Sequence, residues 1–314
     1  MELRELGEFR LIRRIERAVR RRGQGSAVVI GVGDDAAVLR ARPGEDVVLT
    51  TDAAVEDVHF RWQTESARNI GRRALVANLS DLAAMGARPL GFTAALAAPP
   101  SLSVKRVDGL VAGLLHEAAA HGCPLVGGNV TAARKTSLTL AALGAVSRGR
   151  ALTRGGSAAG DRICVTGRLG AAALALARAE RRGRPLRHTP TPRLAAGRAL
   201  ARLRAVRACI DVSDGLRADL AHLLEADGLA AELDLAALPR PPRFTSACAA
   251  LGVDPQALLL CGGEDYELLF TVRGRSPSAA ALGRRLGVSV SEIGRVVPAA
   301  AAAGRPLGGG WRHF

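Results

Sequence analysis

Apolar residues recur along this chain at two spacings, one helical and one alternating. Phe9, Leu11, Ile12, Ile15 and Val19 share a helical face near the start. Apolar runs then predict strands at Ala27–Val32, Ala36–Leu39 and Asp46–Thr51. Ala67–Met85 reads as a helix, and Gly91–Ala97 as a strand stopped by Pro99-Pro100. Val104–His121 reads as a helix closed by Gly122. Pro124–Val126 and Ser137–Val146 complete the first half as strands. Arg148–Ser157 is turn-rich and basic, and predicts a domain boundary.

The second half repeats the mixed pattern. Strands are expected at Ile163–Thr166, Ala208–Val212, Tyr266–Val272 and Val288–Ile293. Helices are expected at Ala171–Arg181, Arg193–Leu203 and Asp214–Ala226, with a proline-rich loop over Gly183–Pro192. The class is therefore α/β or α+β, in two domains, 1–147 and 148–314. A chain of 314 residues has the length for two ordinary domains.

Composition narrows the function. The chain carries formal charge +15, and Lys occurs only at Lys105 and Lys135, so its cations are almost all arginine. Arginine favours phosphate contacts, but Ala, Arg and Gly are abundant throughout, which points to a coding bias rather than a nucleic-acid surface. Aromatic residues make up 3% of the chain. That leaves little for base stacking, so no nucleic-acid partner is expected. Five cysteines with no CxxC pair read as reduced thiols without a zinc site. The opening residues lack the apolar core of a signal peptide and include Glu2, Glu5, Glu8 and Glu16. No uncharged apolar run reaches membrane-spanning length, so a cytoplasmic protein with no membrane partner is expected.

The candidate chemistry lies in the acids. Five short segments rich in Gly and apolar residues hold carboxylates without any Lys or Arg: Gly31–Leu39, Thr50–Phe60, Asn78–Ala87, Cys209–Leu216 and Cys261–Phe270. A buried unpaired carboxylate is costly. Counter-charge from outside the chain, with Mg²⁺ bridging carboxylates to phosphates, fits this pattern. Gly31-Val-Gly33-Asp-Asp-Ala36 matches a dinucleotide fingerprint in outline. However, a strand follows it, and Asp34-Asp35 would repel a pyrophosphate. No GxxxxGK[ST] loop exists, so any bound phosphates depend on metals and arginine. Thr50-Thr51-Asp52 is expected to end a strand with three oxygen-bearing side chains, and Asp57 and His59 follow. Asp211 and Ser213 share one strand face. Asp81 and Asp214 also suit helix caps. Gly127-Gly128-Asn129 and Gly262-Gly263-Glu264 each suit an ordinary turn.

Together these segments resemble the thiamine-monophosphate kinase family of the aminoimidazole ribonucleotide synthetase-like superfamily. The resemblance runs from Gly7–Ile12 to Trp311–Phe314. Its most specific motifs are Asp57-Val-His-Phe60, Arg150–Arg154, Asp211-Val-Ser-Asp-Gly215 and Gly262–Leu268. It implies a two-domain fold of mixed sheets flanked by helices. Residues 1–147 would bind ATP and Mg²⁺ and form a homodimer, and 148–314 would complete the active site. The implied reaction is ATP-dependent phosphorylation of thiamine monophosphate to thiamine diphosphate. Asp35, Thr50, Thr51, Asp52, Asp81, Asn129, Asp211 and Asp214 fall at metal positions, with Asp52, Asp81 and Asp211 central to catalysis. Gly128, Asn129, Arg154 and Ser213 fall at nucleotide positions, and His59, Glu264 and Trp311 at positions that contact thiamine monophosphate. The chain departs from the family at Asn129, where the pattern has Asp. Other synthetases of the superfamily and a non-catalytic nucleic-acid binder are the alternatives. A selenophosphate synthetase would need an N-terminal reactive Cys, and no Cys precedes Cys123.

Overall fold

Backbone pairing and burial divide the chain between Arg148 and Gly149 in the computed structural model. It describes residues 1–6, 8–21, 26–30, 38–183, 185–225 and 227–302. One unit comprises Met1–Leu82, Arg88–Arg148 and Gly183–Thr189; the other comprises Ala83–Ala87, Gly149–Arg182 and Pro190–Phe314.

The first unit opens with helices α1 (Leu3–Leu6) and α2 (Glu8–Arg20) and a two-stranded ribbon, β1 (Val28–Ile30) with β2 (Val38–Leu39). Then come β3 (Glu45–Val55), α3 (Ala67–Ala84), β4 (Arg88–Ala98), α4 (Val104–His121), β5 (Leu125–Ala132) and β6 (Ser137–Ser147). The sheet order is β3-β6-β4-β5, antiparallel except for the parallel β4–β5 pair.

Helices α3 and α4 carry glycines on the sides that face each other, and they meet backbone to backbone. A Cβ on Gly113 would lie 2.1 Å from the Arg68 carbonyl oxygen, and one on Gly71 the same distance from that of Leu110. Glycine is what lets the two helices approach this closely.

The second unit contains β7 (Arg162–Thr166), α5 (Ala171–Arg182), α6 (Leu194–Leu200), β8 (Val206–Asp211), α7 (Leu216–Glu225) and β9 (Leu229–Leu233). It continues with α8 (Phe244–Ala249), α9 (Pro255–Cys261), β10 (Leu268–Val272), α10 (Ala279–Leu286) and β11 (Val290–Pro298), then a short 3₁₀ turn, Ala299–Ala302. Its strands pair in the order β8-β10-β7-β11-β9, each pair antiparallel. Ile163, Val165, Ile210 and Leu269 from the sheet bury against Leu216, Leu220 and Leu223 of α7 and Phe244 of α8.

The structure corrects several expectations. Strand β3 does not end at Thr51. It stays paired with β6 as far as Val55, where Val55 meets Ser137, so Thr50, Thr51 and Asp52 sit mid-strand. Gly127-Gly128-Asn129 is not a turn but lies within β5. Gly128 is needed there, since a Cβ would lie 2.2 Å from the Ala94 carbonyl oxygen. Periodicity alone does not predict β9, α8, α9 or α10. Local caps mark two of them. Asp254 accepts from the N–H groups of Gln256 and Ala257 with Pro255 following it, and Ser278 accepts from Ala281 N–H with left-handed Gly287 closing α10. Residues 31–37, where the strand expected at Ala27–Val32 ends and that expected at Ala36–Leu39 begins, lie outside the described residues. Among the described residues no helix is long and apolar enough to cross a membrane.

The close helix contact makes the first prediction. Gly113→Ala should destabilise the protein by about 1–3 kcal/mol, because backbone must move to admit the methyl group. Urea unfolding measures this, and an unchanged midpoint would mean that α3 and α4 separate at no cost.

Candidate active site

In the first unit the candidate oxygens lie on one strand and the helix beside it. Thr50 donates its hydroxyl to Asp81 on α3 at 2.5 Å. Thr51 donates to the Leu140 carbonyl at 2.9 Å, and Asp52 accepts from Ala53 N–H at 2.7 Å. The sheet register separates these side chains. Asp52 shares a row with Leu140, Ala94 and Gly128, whereas Asn129 falls in the next row with Ala53, Thr139 and Ala95. Strands alternate faces. Thr50, Asp52 and Gly128 therefore take one face, and Thr51 and Asn129 the other. Asp35 lies outside the described residues.

His59 follows β3 in a tight turn. Its Nδ1 accepts from Val55 N–H at 3.1 Å, and its carbonyl accepts from Arg73 at 3.3 Å. Asp57 is left-handed at φ 67° and pairs with Lys135 at 3.0 Å. Arg73 also pairs with the buried Glu65, whose other oxygen accepts from Asn69 at 2.6 Å.

In the second unit two acidic loops interlock. Asp211 ends β8 and is 3% exposed. Ser213 and Asp214 follow it, half-buried. The Gly262–Glu267 loop lies directly against them. Glu264 N–H donates to the Ser213 carbonyl and Tyr266 N–H to that of Val212, both at 2.8 Å. A Cβ on Gly263 would lie 2.4 Å from the Ser213 carbonyl oxygen, so only glycine fits there. Glu264 and Tyr266 are both left-handed, at φ 62° and 50°. Arg154 is exposed on a loop held by Asp227, which accepts from the N–H groups of Gly156 and Ser157 at 2.8 and 2.9 Å. Trp311 lies outside the described residues.

The roles of three acids in this unit escaped the sequence reading: Asp219 and Asp227, which it did not single out, and Asp265, which it saw only as part of the Gly262–Leu268 motif. Asp219, on α7, is 1% exposed. Burial, and then the neighbouring charges of Asp211 and Asp214, push its carboxyl up to about 8. Its position among Leu216, Leu220 and Leu223 was the available signal, an acid on the apolar face of a helix. Asp265 caps α5 from across the unit, accepting from Gly170 N–H at 2.5 Å and Ala172 N–H at 3.2 Å. Burial pushes it up to about 7 against those bonds.

The donor set is hard oxygen throughout, which suits Mg²⁺. Among the described residues no three His, Cys, Asp or Glu side chains form a ready-made cage. An ion that keeps its waters and takes ligands from substrate phosphates needs none. The crowding of Asp211, Asp214 and Asp219 is what such an ion would relieve.

Residues 33–146 match the family described as AIR synthase related protein, N-terminal domain, and residues 158–304 match AIR synthase related protein, C-terminal domain. A thiamine-monophosphate kinase of Mycobacterium tuberculosis (strain CDC 1551 / Oshkosh) is 38% identical over 285 residues, covering 88% of this chain and 84% of the relative. The chain belongs to the thiamine-monophosphate kinase family. A crystal structure of the kinase from Stenotrophomonas maltophilia K279a matches with a TM-score of 0.79 and 37% identity, covering 93% of this chain and 94% of that one. AaThiL complexed with AMPPCP and TMP matches with a TM-score of 0.73 and 29% identity, covering 100% of this chain and 99% of that one. Thiamine-monophosphate kinase family membership thus extends across both units.

The raised carboxyl of Asp265 sets a pH prediction. The folded protein holds this proton more tightly than the unfolded chain, where the ordinary value is 3.8. The stability it contributes is complete below that value and is lost as pH rises through about 7. Asp265→Asn stays neutral, so it should gain stability relative to wild type as pH rises from about 4 to about 7, and hold that gain above it. Thermal unfolding in EDTA across that range checks the sign; a variant that loses ground as pH rises contradicts it.

Proposed function

We propose that the chain transfers the γ-phosphoryl group of ATP to thiamine monophosphate, giving ADP and thiamine diphosphate. What carries this reading is the pairing of family membership over most of the chain with two oxygen-rich clusters, one where Thr50 donates to Asp81 and one where Asp211 and Asp214 crowd the buried Asp219. In the step itself an oxygen of the acceptor phosphate bonds to the γ-phosphorus while the bridge to the β-phosphate breaks. The acceptor oxygen is already anionic, so the protein need supply no strong base. The shortage of histidine near these acids agrees with that.

The protein's part is placement and charge. Bound Mg²⁺ would supply the charge neutralisation that lets two phosphates approach. On one face of the first sheet, Thr50, Asp52 and Asp81 would hold it, with Asp35 added. Thr51 and Asn129 would serve the opposite face, and Asp211 and Asp214 the second unit. Gly128, Arg154 and Ser213 would contact the nucleotide. His59, Glu264 and Trp311 would contact thiamine monophosphate. His59 is already oriented, since its Nδ1 accepts from Val55 N–H. A homodimer built on the first unit also belongs to this reading. Its support is β3, an edge strand on which Val47 and Leu49 are 57% and 68% exposed. A cytoplasmic location fits a reaction that draws on ATP.

Two experiments test the proposal. Purified protein with ATP and Mg²⁺ should make thiamine diphosphate from the monophosphate and leave free thiamine untouched; turnover of thiamine alone, or of neither, refutes the assignment. Asp81→Asn should lower the rate by at least ~100-fold, as expected when stabilisation of transition-state charge is lost. It should remain folded, because Asn can still accept from Thr50. Full activity in this variant would reduce Asp81 to a structural partner of Thr50.

A further inference from the structure

One carboxylate oxygen in the second unit accepts from three consecutive backbone amides. Oδ2 of Asp219 receives the N–H groups of Ser213, Asp214 and Gly215 at 3.0, 3.1 and 3.1 Å. Successive amides turned inward in this way form a concave nest, the device by which many loops bind a ligand's phosphate. Here the nest is filled from within, by an acid that is 1% exposed. The same segment is held from its other side, where the Ser213 carbonyl accepts from Glu264 N–H.

We infer that Asp219 is a positioning residue that occupies the anion nest of the Asp211–Gly215 segment, so that the segment offers a ligand oxygen atoms rather than amides. With its amides spent, the segment has the half-buried side chains of Ser213 and Asp214 to present. It repels a bare phosphate and accepts one that arrives with a cation. This rests on the phosphoryl-transfer reading for its role in turnover, but the nest itself is independent of it. Asp219 also links the two loops. Through Ser213 it holds the residue whose carbonyl receives Glu264, so one buried oxygen orders a nucleotide-contacting residue and a substrate-contacting one together.

The test compares wild type, Asp219→Asn and Asp219→Ala by thermal unfolding in EDTA, each alone, with sodium formate, and with inorganic phosphate. Asparagine keeps an acceptor oxygen and should melt near wild type. Alanine leaves three buried N–H groups without a partner and should melt well below it. Formate should restore much of the loss in the alanine variant, and phosphate should stabilise that variant more than it stabilises wild type. An alanine variant as stable as wild type, or one that responds to neither anion, overturns the inference. Should alanine prevent folding, the asparagine variant decides alone. A midpoint near wild type supports the nest, and one that has also collapsed overturns it, because the loop would then need the charge rather than an acceptor. None of these readings requires turnover, so a protein that makes no thiamine diphosphate but shows the formate effect refutes the reaction and leaves the nest standing.

Discussion

Like charges held close together in a dry place are the constraint around which this protein is arranged. Asp211 and Asp214 raise the cost of ionising Asp219, and three backbone amides that donate to one of its oxygens lower it. A chain with formal charge +15 had cations to spare. None of those cations lies within the five acidic segments themselves. An Arg in the same position would neutralise the acids permanently and close the site to exchange. Where arginine does meet a buried acid, as Arg193 meets Glu267 at 2.6 Å, it forms a forked pair with structural work, and Thr166 completes the set.

Close backbone approach is the second theme, and it fixes glycine at several positions. Gly71 and Gly113 bring α3 and α4 together, Gly128 brings β5 against β4, and Gly263 brings one acidic loop onto the other. Each contact places a polar backbone where a side chain would otherwise stand. The first sheet also shows what its pleat imposes. Residues adjacent in sequence, such as Thr51 and Asp52, serve opposite faces, so one strand can supply ligands to two separate positions.

Much of this was legible in the sequence. Helices α3 and α4 announce themselves through periodicity, and the acidic segments through the cations they lack. The family was readable from motifs such as Asp211-Val-Ser-Asp-Gly215. The extents of β3 and β5 were not. Small residues such as Ala53, Ala54 and Gly127 carry no strong strand preference, and pairing with β6 and β4 decided the matter. Asp219, Asp227 and Asp265 were missed for a related reason. Their partners are backbone N–H groups, and the residue types of a sequence do not reveal which amides a fold will turn inward. Asp265 was visible within its motif, yet nothing local says that it reaches Gly170 and Ala172.

Glu264 stands in a conformation that glycine adopts freely and glutamate does not. Random substitution followed by selection for heat resistance would tend to find Glu264→Gly, because removing the Cβ relieves the strain while the Ser213 contact uses only the main chain. That path discards the carboxylate. Durability of the main chain and possession of a carboxylate thus pull in opposite directions at this one position.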